Sequence, residues 1–450
     1  MRITWVQPED LLPHELAASR DEGRDVAALA QRWAVAGGDL TPPVSGASPT
    51  PASPALRALA AELLDAADAL PAVAADDEPD ELAALRAEWP TSWSLPTDVT
   101  HDRLHGAWLG RAAGCLLGKP VEKIPREGIR EILTATDRWP LRDWFTAKGL
   151  PAEVAARWPW NRRSAPTSLA ENIDGMPEDD DLNYALLALR VLETHGRDFT
   201  SADVAQAWLD WLPAGRVFTA ERVAYRNLLL GLAPPESARR HNPFREWIGA
   251  QIRTDVYGWV NPGRPDRAAE LAWRDATVSH VRGGVHGAIW AAALAAAAPV
   301  AASMDEVLDA AEAVLPPRSR FAATVREARA LGEGADDWER VVDELYVRHG
   351  HLHWVHVRNN AALVAAALAY GRGDLERSIT AVVSGGWDTD STGATVGAVT
   401  GALTGASGLP ARWVAPLRNR LASSIAGFDG IGFDELAERT QALAQSGSGS

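Results

Sequence analysis

The sequence predicts an all-α protein, and three observations carry that expectation. Alanine dominates a composition in which 46% of residues are apolar, and Ala set among Leu and Val favours helix. Two stretches, 106–118 and 393–405, place glycine at every fourth position. That spacing puts small residues on one helical face, where a neighbouring helix can approach closely. Strand-like alternation of polar and apolar residues is scarce throughout.

The 450 residues are too many for one small core, so a large domain with an appendage is expected. Residues 1–98 read as an N-terminal extension of helical pieces, 9–36 and 54–70. A Pro/Ser/Gly linker at 41–54 separates them, and an acidic break at 74–80 follows. No chemistry is evident there, and packing or oligomer contact is the expected role. Residues 99–445 read as the main helical domain. Its helices are expected at 106–118, 182–193, 202–212, 219–232, 268–278, 285–298, 304–314, 322–331, 338–346 and 360–369, and again from about Thr392. Long Trp- and Pro-rich loops, 138–172 and 234–263, interrupt them, and 446–450 is a Gly/Ser tail. The most apolar run, 288–302, is Ala-rich, broken by Pro299 and too short to span a bilayer, so it reads as a buried helix.

A formal charge of −16 without a Lys/Arg run argues against broad binding of nucleic acid or anionic membrane. A lone cysteine, Cys115, excludes an internal disulfide and fits a reducing cytoplasm. The first residues lack the apolar core of a signal peptide. No phosphate loop, dinucleotide fingerprint or Gly-x-Ser-x-Gly elbow occurs.

Two acidic clusters remain. In Gly385-Gly386-Trp387-Asp388-Thr389-Asp390-Ser391 a glycine pair permits a tight turn, and three oxygen-bearing side chains follow at the mouth of a small-residue helix. Such hard donors suit magnesium, and they also suit helix capping. Asp179-Asp180-Asp181, before an apolar helix, repel one another unless the helix N-terminus or a divalent cation relieves them. Glu122, after the first glycine-spaced stretch, offers a further ligand. The run His349, His351, His353, His356 has poor zinc spacing and no cysteine beside it. Asn359 and Asn360 read as a helix N-cap, and His280 stands beside Gly283 and Gly284, where a phosphate could approach.

Taken together these residues resemble the ADP-ribosylglycohydrolase family. The glycine-spaced helix ending in Gly-x-x-x-Glu falls on 106–122, the Thr-Asp-Asp motif on Asp179-Asp180-Asp181, the Ser/Thr-His step on Ser279-His280, and the Gly-Gly-x-Asp-Thr-Asp-Ser/Thr signature on Gly385 to Ser391. The resemblance implies an all-α fold and two magnesium (or manganese) ions. It implies cleavage of the bond between the anomeric carbon of ADP-ribose and a protein side chain or small acceptor. Metal ligands are then expected at Asp179, Asp180, Asp181, Asp388, Asp390 and Ser391, and catalytic roles at Glu122, Asp180 and Asp181. Phe218, Thr219, His280, Gly386 and Trp387 are expected to meet the substrate. The expected partner is an ADP-ribosylated protein or a ribosyl small molecule. The alternatives are a ribosyl hydrolase of nucleoside-like metabolites and a non-catalytic, metal-dependent nucleotide binder. The chain departs from the family pattern with Asp179 for Thr, Cys115 where Asp is common, Leu182 for a polar residue, and Trp387 inside the signature.

Overall fold

In the computed structural model, described for residues 3–446 apart from 44, 45, 72, 74 and 75, helices form the whole framework. Among the described residues only isolated bridges, such as Met176 with Leu421, interrupt it. The tail residues 447–450 and parts of the 41–54 linker and 74–80 break lie outside the described residues.

The two glycine-spaced stretches pack on each other, antiparallel, as helices His101–Gly118 and Thr389–Thr404. A Cβ on Gly106 would lie 2.3 Å from the Gly401 carbonyl oxygen, one on Gly110 2.1 Å from that of Gly397, and one on Gly114 1.9 Å from that of Gly393. The reverse contacts are as close: 2.0 Å from a Cβ on Gly397 to the Gly110 oxygen. Backbone therefore touches backbone along about four turns, and only hydrogen fits between. At the end of this seam the Thr389 hydroxyl donates to the Gly118 carbonyl at 2.9 Å. The antiparallel pairing has a functional consequence. It sets the end of the first helix, with Lys119 and Glu122 beyond it, beside the start of the last, with Asp388 and Asp390.

Around this pair lie helices with no polar face. Gly283–Ala297 is buried at every residue, as the apolar run predicts, and Val357–Gly371 is buried over most of its length. A helix apolar on all sides belongs in the interior.

Several boundaries differ from expectation. The 9–36 stretch is two helices, Pro8–Asp21 and Ala27–Val35, broken near Gly23, whose φ is +80°. Helices Leu82–Glu88, Arg126–Ala135, Leu375–Ser384 and Phe433–Ser446 form where none was expected. The 234–263 stretch is not a surface loop. Phe244, Trp247, Tyr257 and Trp259 are buried in it, and its backbone closes into short turns such as Glu236–Arg239 and Asp255–Trp259. Buried backbone must find hydrogen-bond partners, and helical turns supply them locally.

The first helices join the rest through buried charge. Arg245 is held by Glu15 at 2.7 Å and by Glu22 at 2.7 Å. Asp21 accepts from Arg358 at 2.8 Å, and Trp5 packs edge-on against Phe244 with centroids 5.4 Å apart. No helix among the described residues is long and apolar enough to cross a membrane.

Candidate metal centre and active site

The last glycine-spaced helix begins at Thr389, not Thr392, so Asp390 and Ser391 sit in its first turn and Asp388 is the N-cap residue. Asp388 makes no side-chain capping bond, which removes the purely structural explanation for it. Its backbone N–H donates instead to Asn360 Oδ1 at 3.2 Å. The turn before it takes left-handed angles at Gly386 (φ +83°), which glycine adopts freely, and at Trp387 (φ +59°), where they are strained, while Gly385 keeps right-handed helical angles. A tyrosine braces this turn. The Trp387 indole is buried and stacks on Tyr346, centroids 4.4 Å apart and planes at 14°, and the Tyr346 hydroxyl donates to the Gly385 carbonyl at 3.0 Å. A Cβ on Gly386 would come within 2.8 Å of the same hydroxyl.

Asp179 is the N-cap of helix Asp180–His195. Its Oδ1 accepts from the Asp181 N–H at 2.9 Å, and its other oxygen takes the buried ammonium of Lys119. Burial alone would raise the Asp179 pKa, but Lys119 outweighs it and holds the carboxyl below its usual range. Asp181 receives the Ser391 hydroxyl at 3.2 Å on Oδ2. Its Oδ1 is buried with no hydrogen bond, although the Arg111 guanidinium stands 3.6 Å away. Arg111 is fully buried in the glycine-spaced helix and is spent on the Asp181 and Ile252 carbonyls and on Asp255.

Oxygens of Glu122, Asp388 and Asp390 lie within 4.8 Å of one another, and so do ligand atoms of Cys115, Asp179 and Asp181. Asn161 donates to Glu122 Oε2, and Lys123 pairs with its other oxygen at 3.2 Å. Six carboxylates thus crowd one place with a single buried ammonium among them. Burial and then the neighbouring charges raise Asp180, Asp181 and Asp388 well above the carboxylate range, and burial with Glu122 and Asp179 pushes Asp390 up to about 7. Burial and the same acids raise the Cys115 thiol, so it stays protonated beside an oxygen-rich site. The donor set is hard, negatively charged and incompletely paired at Asp181 Oδ1. It fits a divalent cation such as magnesium.

Two departures from the family pattern meet here. Cys115 stands where an acid is common and Asp179 where a threonine is, and the two side chains face each other across the site. Lys119 compensates the Asp179 carboxylate.

The remaining candidates lie on one flank. Phe218 and Thr219 precede and begin helix Thr219–Leu229, both half-buried, with Thr219 at φ +40°. His280 is fully buried. Its Nδ1 shares a hydrogen bond with the Ser279 hydroxyl at 2.8 Å, and burial and Arg253 push its pKa well down. The structure brings it to Glu221, 3.9 Å away, behind the Phe218 turn. Gly283 and Gly284 face the Glu246 carboxylate and the Arg245 carbonyl, so that pair offers acceptors rather than a phosphate cradle. Asn359 and Asn360 are not the cap of their helix: His356 caps it, accepting from Arg358 N–H at 3.1 Å. His353 stacks on Trp247 at 4.2 Å, so the histidine run is used in packing and capping.

The chain matches the ADP-ribosylglycohydrolase family over residues 96–448. It belongs to that family. Among solved structures it is similar to a chain of an ADP-ribosylglycohydrolase-related protein complex, at 21% identity and a TM-score of 0.45, covering 77% of this chain and 98% of that one. No curated protein matches it. Family membership makes the chain a glycohydrolase by class, from a metal-dependent family, with acidic clusters able to hold metal. Sequence reasoning missed Arg111, Lys119, Asn161, Tyr346 and Asn360. Only Arg111 and Lys119 left a signal, as lone cations in an otherwise small and apolar helix and its end.

Proposed function

We propose that this ADP-ribosylglycohydrolase hydrolyses the bond between the anomeric ribose carbon of ADP-ribose and a protein side chain or small acceptor. Two magnesium (or manganese) ions would be held by Asp180, Asp181, Asp388, Asp390 and Ser391, with Asp179 beside them. The observation that carries this reading is the antiparallel glycine seam. It brings Glu122 beside the Asp388–Ser391 turn, and the Ser391 hydroxyl, donating to Asp181, ties in the Asp179–Asp181 cluster from a distant part of the chain. When bound, the cations supply Lewis-acid polarisation and neutralise charge at the ribose.

The chain's own residues do the rest. Glu122, aimed by Asn161, takes the proton of the attacking water as the water oxygen bonds to the anomeric carbon. Asp180 lies at the partly exposed edge of the cluster, where it can pass a proton to the departing acceptor. The remaining carboxylates stabilise the positive charge that develops on the ribose as the bond breaks. Trp387 and Gly386 line the turn that fixes Asp388, and Phe218 and Thr219 flank the ribose. His280 supports the Phe218 turn from behind.

The test is incubation with magnesium and a panel of ADP-ribosyl-arginine, ADP-ribosyl-serine and free ribosides, following release of ribose-containing product. Asp388→Ala and Asp390→Ala are expected to abolish release while leaving the helical circular-dichroism signal intact. Full activity in either variant would overturn the reading.

A further inference from the structure

The start of the first glycine-spaced helix carries two histidines one turn apart, His101 and His105. Residues four apart share a helix face, so both imidazoles stand on the same side. Their ring centroids lie 5.7 Å apart, with the planes at 47°. Each residue is half-buried, and in each the Nε2 atom is buried with no hydrogen-bond partner. Burying a polar nitrogen unpartnered is unfavourable, so two of them side by side call for a shared ligand. Other histidines, among them His14, His280 and His349, also leave Nε2 buried and unpaired. Among the described residues none of those three has a second unpaired imidazole against its own ring.

A metal ion is the ligand this pair fits. Two imidazoles bound through nitrogen to one tetrahedral ion at about 2.0–2.1 Å hold their centroids roughly 5 Å apart, a small side-chain rotation from the spacing here. Imidazole is a borderline donor that suits zinc, copper or nickel, whereas the carboxylate site suits a hard cation, so the two sites sort metals by chemistry. A ligating imidazole is neutral, and burial together with the neighbouring His101 keeps the His105 pKa below its usual range. The positive end of a helix opposes a cation, but Asp102 in the first turn and Asp434 both act on His105 with the opposite sign. Asp434 is held by Asn419 at 2.7 Å at the start of helix Phe433–Ser446. That helix packs on the histidine helix, where the Trp108 indole donates to the Thr440 hydroxyl at 3.1 Å. About 20 Å of helix separates His105 from Gly118, beyond which Lys119 and Glu122 lie, so the pair stands apart from the carboxylates.

We propose that His101 and His105 chelate one divalent transition ion, zinc foremost, with water in its remaining positions on the half-exposed side. The ion braces the start of the glycine-spaced helix beside Phe433–Ser446. This site is independent of the hydrolase reading and stands or falls without it.

Zinc binding by the full chain is measured by calorimetry in excess magnesium, added to occupy the carboxylates, for wild type, His101→Gln, His105→Gln and Asp388→Ala. Wild type is expected to bind one zinc ion that magnesium does not displace. Each Gln variant should weaken that binding by about tenfold or more, and Asp388→Ala should change it by less than about twofold. Copper(II) in place of zinc should give an electron paramagnetic resonance signal with two nitrogen ligands in wild type and one in either Gln variant. Both side chains are half-exposed, so the Gln variants should melt like wild type without zinc, and zinc should raise the melting temperature of wild type but not theirs. Equal zinc affinity in wild type and both Gln variants, or loss of that zinc in Asp388→Ala, would overturn the proposal, because the ion would then sit on the carboxylates. Failure of wild type to bind zinc in excess magnesium would overturn it as well.

Discussion

Lys119 is the residue on which the charge balance of the site turns. It is buried and its ammonium rests on Asp179, in a place where the family carries a threonine. Breaking a buried pair by removing one partner leaves an uncompensated charge, so Lys119→Met should cost about 3–5 kcal/mol in denaturant unfolding. Adding Asp179→Thr removes that charge, and the double variant should recover most of the loss. An additive result, with no recovery, would show that Asp179 does not depend on Lys119. Trp387 answers a narrower question. Its indole is stacked on Tyr346 and buried, so it locks the turn that carries Asp388. Tyr346→Phe, which removes only the bond to Gly385, is expected to cost about 1 kcal/mol and to weaken magnesium binding, read by calorimetry. The acids themselves were legible in the sequence because charge next to glycine and an apolar helix is conspicuous. Asn161 and Asn360 were not, because each acts on a partner that only folding brings near: Asn161 on a residue 39 positions away, Asn360 on one 28 away.

At the level of elements, the glycine seam is the part most open to test. Alanine is normally the better helix former, so an exposed Gly→Ala change would stabilise a helix. At Gly110 or Gly397 the added Cβ would meet a carbonyl oxygen at 2.1 or 2.0 Å, and backbone cannot rotate away as a side chain can. Gly110→Ala is therefore expected to destabilise by about 3 kcal/mol or more and to lower magnesium affinity by separating the two halves of the site. A neutral or stabilising effect on thermal unfolding would contradict the packing. Four-residue glycine spacing was readable in both stretches, but which helix each would meet was not. Spacing describes one face, and pairing depends on complementarity between two. The helices Arg126–Ala135 and Leu375–Ser384 do carry apolar residues at helical spacing, Ile129, Ile132 and Leu133 in the first and Leu375, Ile379, Val382 and Val383 in the second, so both were legible although none was expected there.

For the whole molecule, the acidic site makes folding depend on pH and on cations. Without metal, the folded pKa of Asp390 is about 7 and those of Asp180, Asp181 and Asp388 are raised, all above the unfolded value of 3.8. The folded state then binds more protons than the unfolded state between these values. These acids therefore contribute stability that is lost as pH rises from about 4 towards and past 7, while buried histidines with lowered pKa (His14 and His349 about 4, His353 and His356 about 3) contribute stability gained as pH rises to about 6.5. The share of the acids is read above that, so melting temperatures in EDTA should decline from about pH 6.5 to 8, and magnesium should restore stability more at pH 7.5 than at pH 5. A metal-free protein whose stability rises between about pH 6.5 and 8 would refute the charge crowding. The all-α architecture was legible from composition, glycine spacing and the scarcity of strand alternation, whereas the attachment of the N-terminal helices through Arg245, Glu15, Glu22 and Asp21 was not, since those charges meet only when distant segments fold together.

The most direct measurement is release of ADP-ribose from an ADP-ribosylated substrate panel by the purified chain, with magnesium and with excess EDTA, in wild type and Asp388→Ala. The account predicts product from at least one substrate with magnesium, none in EDTA, and none from the variant. Undiminished release in EDTA, or from Asp388→Ala, would contradict it.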